Sequence, residues 1–284
     1  VFDNAVDGSN ALSAITSDIT LRNGELERQS AAPAFRFLEV AATGQLTVRD
    51  MQLRRGFATG EGGAILALGG LMLFNSTLEN NEATTDGGAV STHSQTKMVM
   101  TRFAGNTAVN GAALAGRSML MLVNLTVTGH DSASAGSVIW ADGYLAGVGL
   151  LIADNTLSAT GSTLLFAGEN APVAEFRHVT IASNTVQGEL LEREGNTTSN
   201  FQVRNSIVWG NQFASLGRIT PMSSLLQGVQ GMSDDPQFQD AAQRNYRLTA
   251  GSPAIDTGDN ANSFFDSYDI DNDGDQTELL PDLD

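Results

Sequence analysis

Apolar and polar residues alternate with a period of two in short runs along most of the chain, as in LMLFNSTL (71–78) and SNFQVRNSIV (199–208). That period predicts strands with one face buried and the other outside. The runs recur. Leu53, Leu78, Phe103, Val127, Ile152, Ile181 and Val208 form one apolar column, and five residues earlier Val48, Leu73, Met98, Leu122, Gly147, Phe176 and Val203 form a second. A further apolar piece follows a glycine in each repeat: GGAILAL, GGAVST, GAALAG, GSVIWA, GSTLLFA and GELLE. Successive repeats lie 24 to 29 residues apart, and no stretch keeps a helical period. A propeller blade needs about 40 residues, so the shorter period predicts an all-β, right-handed, single-stranded parallel β-helix in which each coil stacks on the last. The expected layout is a set of less regular opening coils over 1–44, about seven regular rungs over 45–212, and a C-terminal cap over 213–284 with an acidic loop.

Three residues after the first column stand Gly56, Asn81, Asn106, His130, Asn155, Asn184 and Asn211. Asparagine tolerates left-handed backbone and can bond a neighbouring coil, so Asn81, Asn106, Asn155, Asn184 and Asn211 are expected to form a structural amide ladder, with His130 as a substitute rung. The paired glycines are read as turn residues. His93 and His178 fall in other columns, so the three histidines are not expected to converge.

The outward positions of the first strand in each repeat are Arg49, Phe74, Val99, Val123, Val148, Arg177 and Arg204, beside Thr47, Met72, Lys97, Met121, Ala146, Glu175 and Gln202. No rung sets several carboxylates side by side there. Asp50 and Asp131 are isolated, and Arg54-Arg55 is a lone basic pair. A glycosidase needs two carboxylates within about 5–10 Å, and a lyase of this fold a calcium-binding set beside a base. The columns favour a non-catalytic protein, with a polysaccharide lyase or glycoside hydrolase as the alternative. Met72, Phe74, Val99, Met121, Val123 and Val148 instead read as an outward apolar strip, of a kind that marks a partner surface. Thr77, Thr126 and Thr180 share a column broken by Arg102 and Leu151, which is too irregular for an ice-binding array.

Composition narrows the partners. With 32 acids against 15 Lys and Arg, and Lys97 the sole lysine, the net charge is −17, which excludes nucleic acid as a partner. No run reaches the roughly 18–20 apolar residues of a membrane span. The first residues lack the features of a signal peptide. Zero cysteine excludes disulfides and thiolate chemistry. Thirteen of the acids follow Met232. Among them DIDNDGD sets Asp269, Asp271, Asp273 and Asp275 at alternating positions with Gly274 at the turn, an arrangement suited to calcium. Leu280 stands where a bidentate Glu is expected, so Glu278 or Asp282 has to close the site.

The rungs around FNSTLENNEATTDGGAV resemble those of bacterial right-handed β-helix proteins, distantly like the polymorphic outer-membrane proteins of chlamydiae; the general architecture is pectate-lyase-like. The segment DDPQFQDAAQRNYRLTAGSPAIDTGDN with DIDNDGD, and the opening ALSAITSDITLRNGELERQ, resemble secreted β-helix proteins of the choice-of-anchor type. The chain stops at LLPDLD where that module usually continues into a glycine-aromatic strand. The resemblance implies secretion or display at the outer cell surface, and an adhesive or structural role through a protein surface, a sister chain in a homo-oligomer, another part of a longer polypeptide, or an extracellular polysaccharide. It implies no particular activity.

Overall fold

The computed structural model of the chain describes residues 9–132, 136–195 and 200–263. Within them the chain winds as a right-handed parallel β-helix with three strand faces. The first face runs from Asp18–Glu27 through Gln45–Arg54, Gly70–Phe74, Thr96–Val99, Leu120–Val123, Leu145–Val148, Ala174–Arg177 and Phe201–Arg204 to Ile219–Met222. A second begins at Thr77–Glu79 and ends at Leu225–Leu226, and joins the first through the long strand Gln45–Arg54. The third is an eight-stranded sheet from Leu38–Val40 to Ser215–Gly217.

The register is residue-for-residue, so each sequence column is a spatial column. Val48 pairs Leu73, Leu73 pairs Met98 and Met98 pairs Leu122. These side chains, with Leu53, Leu78, Phe103 and Val127, are at most 1% exposed in one continuous core. Gly147 breaks the first column for a steric reason: a Cβ there would lie 2.6 Å from the Phe176 ring of the next coil. The large ring takes the space that glycine leaves.

The corners are set by backbone conformation. Residues preceding the ladder column are left-handed: Asn80 (φ 55), Gly105 (60), Gly129 (67), Asp154 (58), Ser183 (55) and Gly210 (69). At the turn into the third face, Gly87 has φ 68, and a Cβ on Gly88 would meet the Ala112 carbonyl oxygen at 2.2 Å. Only glycine fits that close coil-to-coil approach.

Inside the second corner each asparagine is buried and bonded to the neighbouring coils, and Asn155, Asn184 and Asn211 also bond within their own coil. Asn81 Nδ2 donates to Leu53 O at 3.0 Å and to Asn106 Oδ1 at 2.9 Å. Asn155 donates to Asn184 Oδ1 at 2.8 Å, and Asn184 to Asn211 Oδ1 at 2.9 Å. The backbone N–H groups of Asn81, His130, Asn155 and Asn184 donate in turn to Oδ1 of Asn106, Asn155, Asn184 and Asn211. Gln227 Oε1 takes the Asn211 N–H at 2.9 Å and finishes the column. His130 keeps the polarity with its two ring nitrogens. Nδ1 lies 2.8 Å from Asn155 Oδ1, and Nε2 lies 3.3 Å from Asn106 Nδ2. Asn155 Oδ1 can only accept and Asn106 Nδ2 can only donate, so the ring is the neutral Nδ1–H tautomer.

Parallel pairing extends beyond 45–212 at both ends, from Asp18 to Leu226. Phe35 and Phe37, fully buried and edge-to-face at 6.5 Å, fill the N-terminal end. Phe238, Tyr246, Leu248 and Ile255 are the apolar residues from which a lid on the last coil could be drawn; Leu248 lines a cavity with Leu225 and Met232 of that coil, whereas Phe238 and Tyr246 stand elsewhere. Val229 and Met232 pack against the core at that end. Phe238–Asp240 and Asn245–Leu248 form an antiparallel hairpin on the flank of the stack, where the Tyr246 hydroxyl donates to Asp154 Oδ1 at 2.7 Å.

Burial pushes the His130 imidazole down to about 4, an effect that the Arg102 charge adds to and the Asn155 hydrogen bond opposes. The unfolded chain takes up a proton near pH 6.5 and the folded chain only near 4, so the contribution is complete above 6.5 and is lost as pH falls between the two. By pH 5 it removes about 2 kcal/mol of stability. His130→Asn restores the amide rung and is expected to abolish this acid-side loss, read as denaturant midpoints at pH 7.5 and pH 5. An unchanged pH dependence would contradict the neutral-rung assignment.

Candidate functional site

On the first face the outward columns carry the expected strip, and the chain itself covers half of it. Val99, Val123 and Val148 are 1%, 6% and 8% exposed, although they lie outside the continuous core. They are therefore not available to a partner, which corrects the reading of a contiguous apolar surface. Each precedes a left-handed corner residue (Met100, Asn124, Gly149), so the column follows the edge where two faces meet. In the next two coils Arg177 and Arg204 occupy it, and the returning C-terminal segment sits on them. Arg177 Nη1 donates to Asn262 O at 3.2 Å and Arg204 Nη1 to Asn262 Oδ1 at 2.9 Å. Phe74 is half-buried, with the Arg49 guanidinium 3.9 Å from its ring centre, and Met121 is half-buried. Met72 is exposed; with Met121, Gln95 and Lys97 it lines an open groove of about 460 Å³.

Several other polar residues singled out in the sequence are absorbed in structure. Asp50 accepts from Asn75 Nδ2 at 2.7 Å, while Arg54 and Arg55 pair with Glu25, Glu27 and Glu79. His178 Nε2 lies 3.0 Å from the Ser263 hydroxyl. It borders a cavity of about 370 Å³ between the second face and the C-terminal segment, lined also by Ser224, Asp234, Leu248 and Thr257. The three histidines stand apart, in the ladder, at this cavity and on the third face. Asp269, Asp271, Asp273, Asp275 and Glu278 lie outside the described residues. Among the described residues no group of three metal-ligating side chains is brought together.

The richest chemistry is on the outer side of the third face, where side chains from four coils meet. Glu61 Oε2 accepts from the Ser91 hydroxyl at 2.9 Å and contacts His93 Nε2 at 2.6 Å. Arg117 Nη2 bridges Glu61 Oε1 at 2.9 Å and Asp86 Oδ2 at 2.5 Å. Asp86 also accepts from Asn110 Nδ2 at 2.9 Å. The short contact makes His93 Nε2 the proton donor to Glu61, so the 3.3 Å approach of Arg117 Nε to that nitrogen is packing and not a hydrogen bond. Burial of Glu61 opposes its ionisation. The bonds from His93, Ser91 and Arg117, with the Arg117 charge, outweigh burial and hold the carboxyl below its ordinary value.

The Arg117 guanidinium also lies over Trp140, 5.2 Å from the ring centre. Trp140 pairs in register with Phe166 of the next coil, their rings 3° from parallel with centres 6.1 Å apart, both half-buried. Phe166 in turn pairs with Glu192. Burial raises the Glu192 carboxyl, and the charges of Glu189 and Glu194 raise it further. None of these three acids has an ion-pair partner among the described residues. This surface was legible in principle: in the pieces after the glycines, the outward position reads Leu66, Ser91, Ala115, Trp140, Phe166, Glu192.

No protein-family model, curated protein or solved structure matches the chain.

The Arg117 bridge has a measurable signature. Arg117→Met removes two of the influences that hold Glu61 low, so the Glu61 carboxyl is expected to titrate at higher pH, read by carboxyl-carbon NMR. A depressed folded value contributes stability that is present above the unfolded carboxyl range of about 4.3 and is lost as pH falls through the folded value. The variant's deficit should therefore appear at pH 7 and vanish in acid. It should stay at or below about 1 kcal/mol, since the pair is largely solvated.

Proposed function

We propose that the protein is a secreted or cell-surface β-helix of the choice-of-anchor type, a non-catalytic structural and adhesive module that holds a partner against the outer faces of its coils. The observation that carries this reading is the ion-paired state of the carboxylates in the third-face polar cluster. Glu61 and Asp86 share one arginine, and Glu61 is held as the anion. A general acid needs a carboxyl raised toward neutrality, and a general base needs a lone pair free to take a proton. Glu61, held low, is neither such an acid nor a strong base, and His93, with its Nε2–H given to Glu61, keeps only the lone pair of Nδ1. The same side chains stiffen a surface beside two partly exposed aromatic rings, which suits contact.

Support for secretion is the likeness of 234–260 and the acidic repeat after it to the closing module of secreted β-helix proteins, together with the absence of cysteine. Calcium bound by Asp269, Asp271, Asp273, Asp275 and Glu278 belongs to the same proposal, on the alternation of those carboxylates.

Incubation with uronic-acid and neutral polysaccharides should give no new reducing ends and no unsaturated products. Turnover that Glu61→Gln abolishes would replace this reading with a β-helix polysaccharide lyase or hydrolase. Thermal unfolding in calcium and in chelator tests the acidic loop. A lower midpoint in chelator is expected, and identical midpoints would remove calcium from the account.

A further inference from the structure

The third face carries two aromatic rings that its own coil leaves half open, and they sit at the end of the face where negative charge is unbalanced. On one side Arg117 covers Trp140 and is itself neutralised by Glu61 and Asp86. On the other side Phe166 borders Glu192, with Glu189 and Glu194 close enough to raise its carboxyl. Arg193 lies between two of these acids in sequence, yet its guanidinium points into the stack and donates to the carbonyls of Gly168 and Ala171. The apolar and acidic parts are thus contiguous; Arg218 donates to the Arg193 carbonyl, and among the described residues none of the three acids is in an ion pair.

We propose that the Trp140–Phe166 pair and the acids Glu192 and Glu194 form a docking surface for a basic segment of a partner protein. Aliphatic stems and guanidinium planes of Lys and Arg pack on aromatic rings while their charges reach carboxylates. A rim of one sign steers the opposite sign to the patch. An acidic partner meets repulsion here, which gives the surface selectivity as well as affinity. The assignment rests on the adhesive reading above and names the chemistry of the partner.

Trp140 supplies the probe. The chain has two tryptophans, so Trp209→Phe leaves Trp140 as the sole tryptophan, read under selective tryptophan excitation. An oligo-arginine peptide titrated into this variant is expected to change the emission saturably, with affinity falling as salt rises. Glu192→Gln with Glu194→Gln should weaken binding roughly three- to tenfold, the scale of two solvated charge contacts. Phe166→Ala should weaken it as well, with the far-ultraviolet spectrum showing intact strands. The control pair Asp234→Asn with Asp235→Asn removes the same charge elsewhere and should leave affinity unchanged. Equal loss in both double variants would mean diffuse attraction to an acidic protein and would overturn the site. Unchanged binding in the Glu192, Glu194 variant would overturn it too. A salt-independent response to a neutral oligosaccharide, indifferent to Glu192→Gln, would give the surface to glycans instead. None of these results depends on whether polysaccharide is turned over, so the adhesive reading and the docking site fail separately.

Discussion

Stacking one coil directly on the next depends on satisfying the backbone at each corner, and the buried amide column does that here. A corner breaks the strand ladder, leaving N–H and carbonyl groups inside a dry core, where an unpaired group costs about 1–3 kcal/mol. Asn81, Asn155 and Asn184 each return two of those bonds, one to a carbonyl of the preceding coil and one to the next amide oxygen. The column is directional, donor facing acceptor from Asn81 onward, and this polarity forces His130 into one tautomer. Substitution of one rung strands groups in two coils at once.

With the interior held in register, the exterior is free to vary coil by coil. The first face shows one consequence: its outward column passes from Arg49 on Phe74, through three buried valines, to Arg177 and Arg204 beneath the C-terminal segment. The third face shows another. Residues distant in sequence, Glu61 and Arg117, become neighbours because the winding brings equivalent positions close together. A charged network of this kind adds little to stability at the surface, but it fixes where Trp140 is held.

Fold and ladder were legible because both are periodic. Leu53 to Val208 and Asn81 to Asn211 announce themselves through spacing, and a left-handed residue before each amide follows from the corner that spacing demands. The valines were legible as outward but not as covered, since alternation reports facing and says nothing about what lies beyond the face. Phe238 and Tyr246 show a related limit of pattern: an apolar segment signals that it covers something without saying where.

The sequence by itself determined the architecture, because a parallel stack repeats its steric and hydrogen-bonding demands in every coil and repetition survives in one dimension. Tertiary structure alone decided the chemistry of the third face. There Glu61, Asp86, His93, Arg117 and Trp140 come from four different coils and occur once each, and a singular set of side chains leaves no period to read. Its meaning lies in the distances between coils, which exist only once the chain is wound.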